Sequence, residues 1–231
     1  MEPSPAKPPA GVSPRFWALL CAERLAGRDV LDVGTGNGRL ALALAPYCRR
    51  VVGIDRDGAA ITEATQRAEA ARLANVEFLV LDAEAVDDYF EIAPEWTNLS
   101  LIVAHLCVSR RIIENAGRII ENAGRSLAHG QALAFVAFHV DQWRETGRRS
   151  RFAYDEQQAR QQLAECGFVV QHLEVEQEVQ RFPSVESALA AAIGLQERWK
   201  SDGRWFHYMK FLEEGGRTLT RSHLIVKARK A

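Results

Sequence analysis

The sequence predicts an α/β fold in which a mostly parallel sheet is covered by helices on both faces. Three observations lead there. Short, nearly continuous apolar strands alternate with stretches of helical periodicity through the first 140 or so residues, which is how strands buried on both faces read. The first strand runs straight into a glycine-rich turn, Asp32-Val33-Gly34-Thr35-Gly36-Asn37-Gly38, that opens a helix. Further along, the apolar pattern switches to period-two alternation around additional helices, as half-buried strands should show.

Taken in order, Met1 to Pro14 carries five prolines and no apolar core. It therefore reads as a disordered leader (residues 1–14) and not as a signal peptide. A single folded domain is expected over 15–231. Its first helix starts at Phe16 and stops at Gly27, a natural C-terminal cap. A strand over Asp29–Val33, the glycine turn and a helix from about Arg39 to Tyr47 follow. Next come a strand over Arg50–Ile54 closing on Asp55, a helix from about Gly58 to Leu73, and a third strand, Val76–Leu81, ending on Asp82. The fourth strand spans Leu99–Ala104, with a helix after it to about Ala128, and the fifth spans Ala132–Phe138. A helix over Asp155–Cys166, capped by Gly167, precedes a sixth strand from Phe168 to Val179, in which Leu173, Val175 and Val179 alternate. Two helices, about Val185–Lys200 and Trp205–Glu213, are broken at Gly203, and a seventh strand covers Thr218–Ala228. The segment Arg111-Ile-Ile-Glu-Asn-Ala-Gly117 recurs identically as Arg118 to Gly124. A seven-residue insertion turns a helical apolar face by only about 20°, so a helix tolerates the duplication.

Bulk properties narrow the function. The chain has 231 residues, 47% of them hydrophobic and 26% charged, with a formal net charge of -1. That balance argues against a globally basic nucleic-acid binder. The four cysteines lie far apart with no C-x-x-C pair, which supports neither a zinc site nor a disulfide framework and suits reduced cytoplasmic thiols. No apolar run approaches the roughly 20 residues that a membrane span needs.

The chemistry starts at the glycine turn. Glycines there permit positive φ and let a ligand approach the backbone. A dinucleotide fingerprint, G-x-G-x-x-G, would place glycine where this chain has Arg39, so the spacing disfavours a nicotinamide dinucleotide. The string Val30-Leu-Asp-Val-Gly-Thr-Gly-Asn-Gly-Arg39 instead resembles motif I of class I S-adenosylmethionine-dependent methyltransferases, (D/E)-x-G-x-G-x-G. The resemblance covers about residues 28 to 140. It implies a Rossmann-like three-layer sandwich whose seven-stranded sheet is parallel except for an antiparallel last strand. The implied cofactor is S-adenosyl-L-methionine, with S-adenosyl-L-homocysteine as product. It would lie over Gly34, Thr35, Gly36 and Asn37. Asp32 would orient the methionine ammonium, Asp55 would take both ribose hydroxyls, and Asp82 and Ala83 would meet the adenine edge. Arg56 would cover the adenine or stay solvated. Ala104 and His105 would stand where donor and acceptor meet. Any one of these acids could otherwise be a helix cap or a turn residue; their succession at consecutive strand ends carries the argument.

For the acceptor, the segment from 181 to 217 is expected to form a helical lid, with Trp199, Trp205, Phe206, Tyr208 and Phe211 either lining a pocket or packing down. The stretch after the fifth strand holds Trp143, Arg144, Arg148, Arg149, Arg151 and Tyr154. Of these, Trp143, Arg148, Arg151 and Tyr154 are the candidate acceptor contacts, the arginines suiting a carboxylate or phosphate. His105 and His139, each at a strand end, are candidates for a catalytic base or for pocket-wall hydrogen bonds. The Asn/Asp-Pro-Pro-Tyr/Phe motif of amino-methylating nucleic-acid enzymes is absent, since the fourth strand reads Ile102-Val-Ala-His-Leu-Cys107. A small-molecule acceptor is therefore the leading expectation. An RNA or protein methyltransferase, a non-catalytic cofactor-binding protein and an NAD-dependent oxidoreductase stay open as alternatives.

Overall fold

The computed structural model describes residues 7–83, 99–107, 129–150 and 153–231. The duplicated segment, the helix expected after the fourth strand, and Arg151 lie outside the described residues.

The first helix, α1 (Pro14–Cys21), starts where the sequence offers a cap: Ser13 Oγ accepts the Arg15 and Phe16 N–H groups at 3.2 and 3.3 Å, and Pro14 fills the first turn. It ends at Cys21, six residues before the expected stop at Gly27. Just beyond, the Glu23 carboxylate accepts Arg229 Nη2 at 2.7 Å and pairs with Lys227, which draws the chain out of the helical path. Strand β1 (Asp29–Val33) is buried along its whole length. Helix α2 (Arg39–Leu44) continues through a short 3-10 turn to Tyr47. Strand β2 (Arg50–Asp55) leads to α3 (Gly58–Ala70), capped by Asp57, whose Oδ1 accepts the Ala59 and Ala60 N–H groups at 2.9 and 3.2 Å. Strands β3 (Val76–Val80), β4 (Leu99–His105) and β5 (Ala132–His139) complete the expected series.

β1 pairs in parallel with β2 and β4, β2 with β3, and β4 with β5. A two-residue strand, β6 (Ala153–Tyr154), pairs in parallel with the end of β5, matching Phe138 to Ala153 and His139 to Tyr154. The sequence reading did not include it. Helix α4 (Glu156–Glu165) and the long β7 (Phe168–Arg181) follow. Then come α5 (Val185–Ala192), α6 (Gln196–Asp202), α7 (Arg204–Glu213) and β8 (Thr218–Lys230). The expected helix over 185–200 is thus interrupted by a 3-10 turn at Ile193–Leu195. The strand order is β3-β2-β1-β4-β5-β8-β7, with β6 beside β5. Gly130 N–H donates to the Lys230 carbonyl while Trp143 N–H, beyond the other end of β5, donates to that of Thr220. Low numbers meet high ones, so β8 runs antiparallel to β5, as the sequence predicts. It is antiparallel to β7 as well, where Phe182 N–H donates to Arg217 and Ala231 N–H to Gly167. β7 is an edge strand, and Glu174, Glu176 and Glu178 along it are the charges that discourage edge-to-edge pairing.

The chain divides into two compact units. The first comprises residues 1–136, 157–173 and 225–231, and the second 137–156 and 174–224. The first is organised around Phe16, Leu20, Leu44, Val51, Val103 and Ile225, all fully buried. Val12 joins this core at 6% exposure, so the end of the expected leader packs against the fold. The second unit has its own core of Trp143, Trp199, Tyr208 and Leu212. Four of the five aromatics expected to line a pocket or pack down do the latter, while Phe206 is 68% exposed.

Candidate active site

The carboxyl ends of β1 and β2 are stitched together by the glycine turn. Thr35 N–H donates to the Ile54 carbonyl at 3.0 Å, and Gly36 N–H donates to Asp55 Oδ2 at 2.8 Å. Asp55 Oδ1 accepts the Asp57 N–H at 3.0 Å. The carboxylate at the end of β2 therefore fixes the height of the turn and still has lone pairs to spare. β3 closes onto the same point, because Leu81 N–H donates to the Asp55 carbonyl at 2.8 Å. Asp82 and Ala83 follow directly and are half-buried.

The glycines answer different demands. Gly34 has φ +66°, and a Cβ there would meet Cys107 Cβ and Sγ at 2.5 Å. Gly36, at φ +54°, has nothing within 4 Å of the space a Cβ would take, so the backbone is open to a ligand at that point. Gly38 starts α2 and lies under Phe78, whose Cζ is 2.7 Å from the Cβ position.

Asp32 is 1% exposed and its Oδ2 accepts the Thr35 hydroxyl at 2.7 Å and the Ala41 N–H at 3.2 Å. It braces the turn from beneath. Burial pushes its carboxyl up to about 7, against the downward pull of those two hydrogen bonds. Asn37 turns toward α3, with Nδ2 donating to Glu63 Oε1 at 3.0 Å, and its carbonyl accepts Arg67. Arg56 is exposed.

Ala104 is buried and pairs with Val33, the residue before Gly34. His105, next along β4, lies with Nδ1 3.4 Å from Arg39 Nη2 and its ring 6.0 Å from that of Phe16. Arginine has only donors, so in a hydrogen bond between them Nδ1 is the acceptor. The same arginine holds the Ala10 carbonyl at 3.0 Å. Sequence reasoning used Arg39 only to disfavour a dinucleotide, and its contact with His105 needed the fold. Cys107 donates to the Val33 carbonyl at 2.9 Å, and burial pushes its thiol up to about 12. It fills the hollow at Gly34 and is unsuited to act as a thiolate nucleophile.

The other described candidates, His139, Trp143, Arg148 and Tyr154, belong to the second unit. His139 is 7% exposed. Its Nδ1 lies 2.9 Å from Ser222 Oγ and accepts the Asp141 N–H at 3.3 Å, and its Nε2 lies 3.4 Å from Glu156 Oε2. Both ring nitrogens have protein partners, an arrangement that locks the ring. Trp143 and Tyr154, each 5% exposed, are part of the packed interior. Trp143 has ring centroids 5.3 Å from both Phe138 and Trp199. The pairing of β6 with β5 puts Tyr154 beside His139, which is why neither presents itself as the sequence reading expected. Arg148 is exposed, and its guanidinium donates to the Asp202 carbonyl.

This sheet order, with a glycine turn after β1 and acids ending β2 and β3, defines a class I methyltransferase architecture. Residues 25–216 match the family described as methyltransferase domain, and the chain belongs to this family of S-adenosylmethionine-dependent enzymes. The crystal structure of the YcgJ protein of Bacillus subtilis superposes with a TM-score of 0.66 at 16% identity, covering 94% of this chain and 98% of that one. Among curated relatives, a ubiquinone biosynthesis O-methyltransferase of Acinetobacter baylyi is 42% identical over 68 residues, which is 29% of each chain. A tRNA/tmRNA (uracil-C(5))-methyltransferase of Neisseria gonorrhoeae is 30% identical over 100 residues, 43% of this chain and 44% of that one. The matched stretches thus span less than half of these curated relatives. No helix among the described residues is long and apolar enough to cross a membrane.

Proposed function

We propose that this chain moves a methyl group from S-adenosylmethionine to a small-molecule acceptor, with the cofactor held along the ends of β1, β2 and β3. The tie between Gly36 and Asp55 is the observation that carries this reading. It sets an open stretch of backbone beside a carboxylate that can still accept from two ribose hydroxyls. Asp82 supplies an acceptor and Ala83 a backbone donor for the adenine edge. Asp32 acts through the turn, holding Thr35 and Ala41, and the direct contact to the ammonium falls to the turn's backbone. The bound cofactor supplies the methyl group as an electrophile on a sulfonium. The protein's part in such an in-line displacement is chiefly alignment of donor and acceptor.

His105 is the candidate base or acceptor contact, and His139 a positioning residue. The low net charge and the absent amino-methylation motif support a small acceptor over RNA. The relatives include both kinds. The helices between β7 and β8 are assigned to acceptor choice. Incubation with labelled S-adenosylmethionine and a panel of small phenols, amines, thiols and carboxylates tests the reading. Label transferred to a small acceptor is the expected result. Transfer to RNA alone, with binding that falls steeply with salt, would replace the acceptor class.

A further inference from the structure

A second concentration of charge lies apart in sequence from the glycine turn, wholly within the second unit. Arg148, Arg149, Arg198 and Arg204 line one cleft of about 450 Å³, together with Ser201 and Asp202. They come from three segments: the loop after β5, helix α6 and the first turn of α7. Four guanidinium groups face one carboxylate, leaving a local charge of about +3.

The groups differ in how far they are committed. Arg204 is the floor. Its side chain is 9% exposed, its Cζ lies 5.4 Å from the centroid of the Trp143 ring, and its Nε donates to Asp202 Oδ2 at 2.8 Å, with Nη2 bonding the same oxygen. Its Nη1 is buried with no hydrogen-bond partner. Leaving a charged donor unsatisfied is costly, and such groups are a reason to look for a ligand. Arg148 is spent on the Asp202 carbonyl. Arg149 and Arg198 are exposed and have no acidic partner among the described residues. Asp202 offsets only one of the four charges, and its carboxylate is already engaged by Arg204.

The balance selects the ligand. One carboxylate would leave about two of the positive charges unanswered, whereas a phosphate monoester brings about −1.5 to −2 and three acceptor oxygens for guanidinium forks. The cleft volume lies within the range of small-molecule sites. We propose that this cleft binds a phosphate-bearing small molecule, a monoester or a diphosphate, gripped by Arg149 and Arg198 over the buried Arg204. The proposal does not depend on the methyl donor.

The probe is pyrophosphate, titrated calorimetrically into the full chain at about 150 mM salt, where exposed charges are largely screened. Arg149→Ser, Arg198→Ser and the double variant are compared with wild type. Both positions are exposed, and thermal unfolding verifies that each variant is folded. Saturable binding is expected, weakened at least about tenfold in the double variant, as loss of two charge-assisted contacts implies. S-adenosylhomocysteine binding should stay unchanged. No saturable binding, or equal binding by the double variant, overturns the proposal. So does RNA binding that requires both arginines and that pyrophosphate fails to displace, which would make the cleft a nucleic-acid surface. Pyrophosphate binding without S-adenosylhomocysteine binding upholds this site and removes the methyl-donor reading.

Discussion

At the glycine turn, three residues of one type do three jobs. Gly34 makes room for Cys107, Gly38 for Phe78, and only Gly36 leaves its face open. The sequence pattern shows the glycines and their spacing, but not which one meets a ligand. Gly36→Val and Asp55→Ala should each weaken S-adenosylhomocysteine binding more than about tenfold, equivalent to about 1.4 kcal/mol, by isothermal titration. Wild-type affinity in both would remove the site assignment. Asp32 makes a separate prediction. Its folded-state value, about 7, lies above the value of an exposed aspartate. The native state therefore binds more protons than the unfolded chain between about pH 4 and 7, so this carboxyl costs stability as pH rises through that window. Going from pH 5 to pH 8, Asp32→Asn should gain roughly 2 kcal/mol in stability relative to wild type, read by urea unfolding. A constant difference would mean that Asp32 is ionised throughout. His139 and Trp143 mark the limit of residue-level reading. Their position near the end of a strand was legible, but the partners that bury them come from β6, α4, β8 and the helices after β7.

Among elements, the parallel strands were the most readable, because strands buried on both faces have to be apolar almost throughout. β1 matches its expected limits at both ends. Helix ends were less so. α1 stops early where Glu23 meets Lys227 and Arg229, residues some 200 positions away that no local signal announces. β6 was missed since two residues cannot display a period. The start of α5 is a case where local chemistry suffices: Ser184 Oγ accepts the Ser187 N–H and Ser187 Oγ accepts the Ser184 N–H, each at 3.2 Å. Ser184→Ala should cost about 1 kcal/mol in denaturant unfolding, and no change would show that the reciprocal cap contributes nothing.

For the whole molecule, the mostly parallel sheet and the antiparallel β8 followed from a family resemblance as much as from pattern, and both are found, whereas the order of the strands came from the structure. The division into two units was legible only as a change in character along the chain. It puts the residues proposed to hold the cofactor in the first unit and the arginine cleft in the second. If the helices between β7 and β8 choose the acceptor, deletion of residues 184–215 should abolish turnover while keeping measurable S-adenosylhomocysteine binding. Unchanged turnover would place acceptor choice elsewhere. The sharpest test compares S-adenosylhomocysteine with NADH by calorimetry on the intact chain. The glycine spacing, Asp55 and Asp82 predict saturable binding of S-adenosylhomocysteine and far weaker binding of NADH. Tighter binding of NADH would contradict the assignment of the methyl donor.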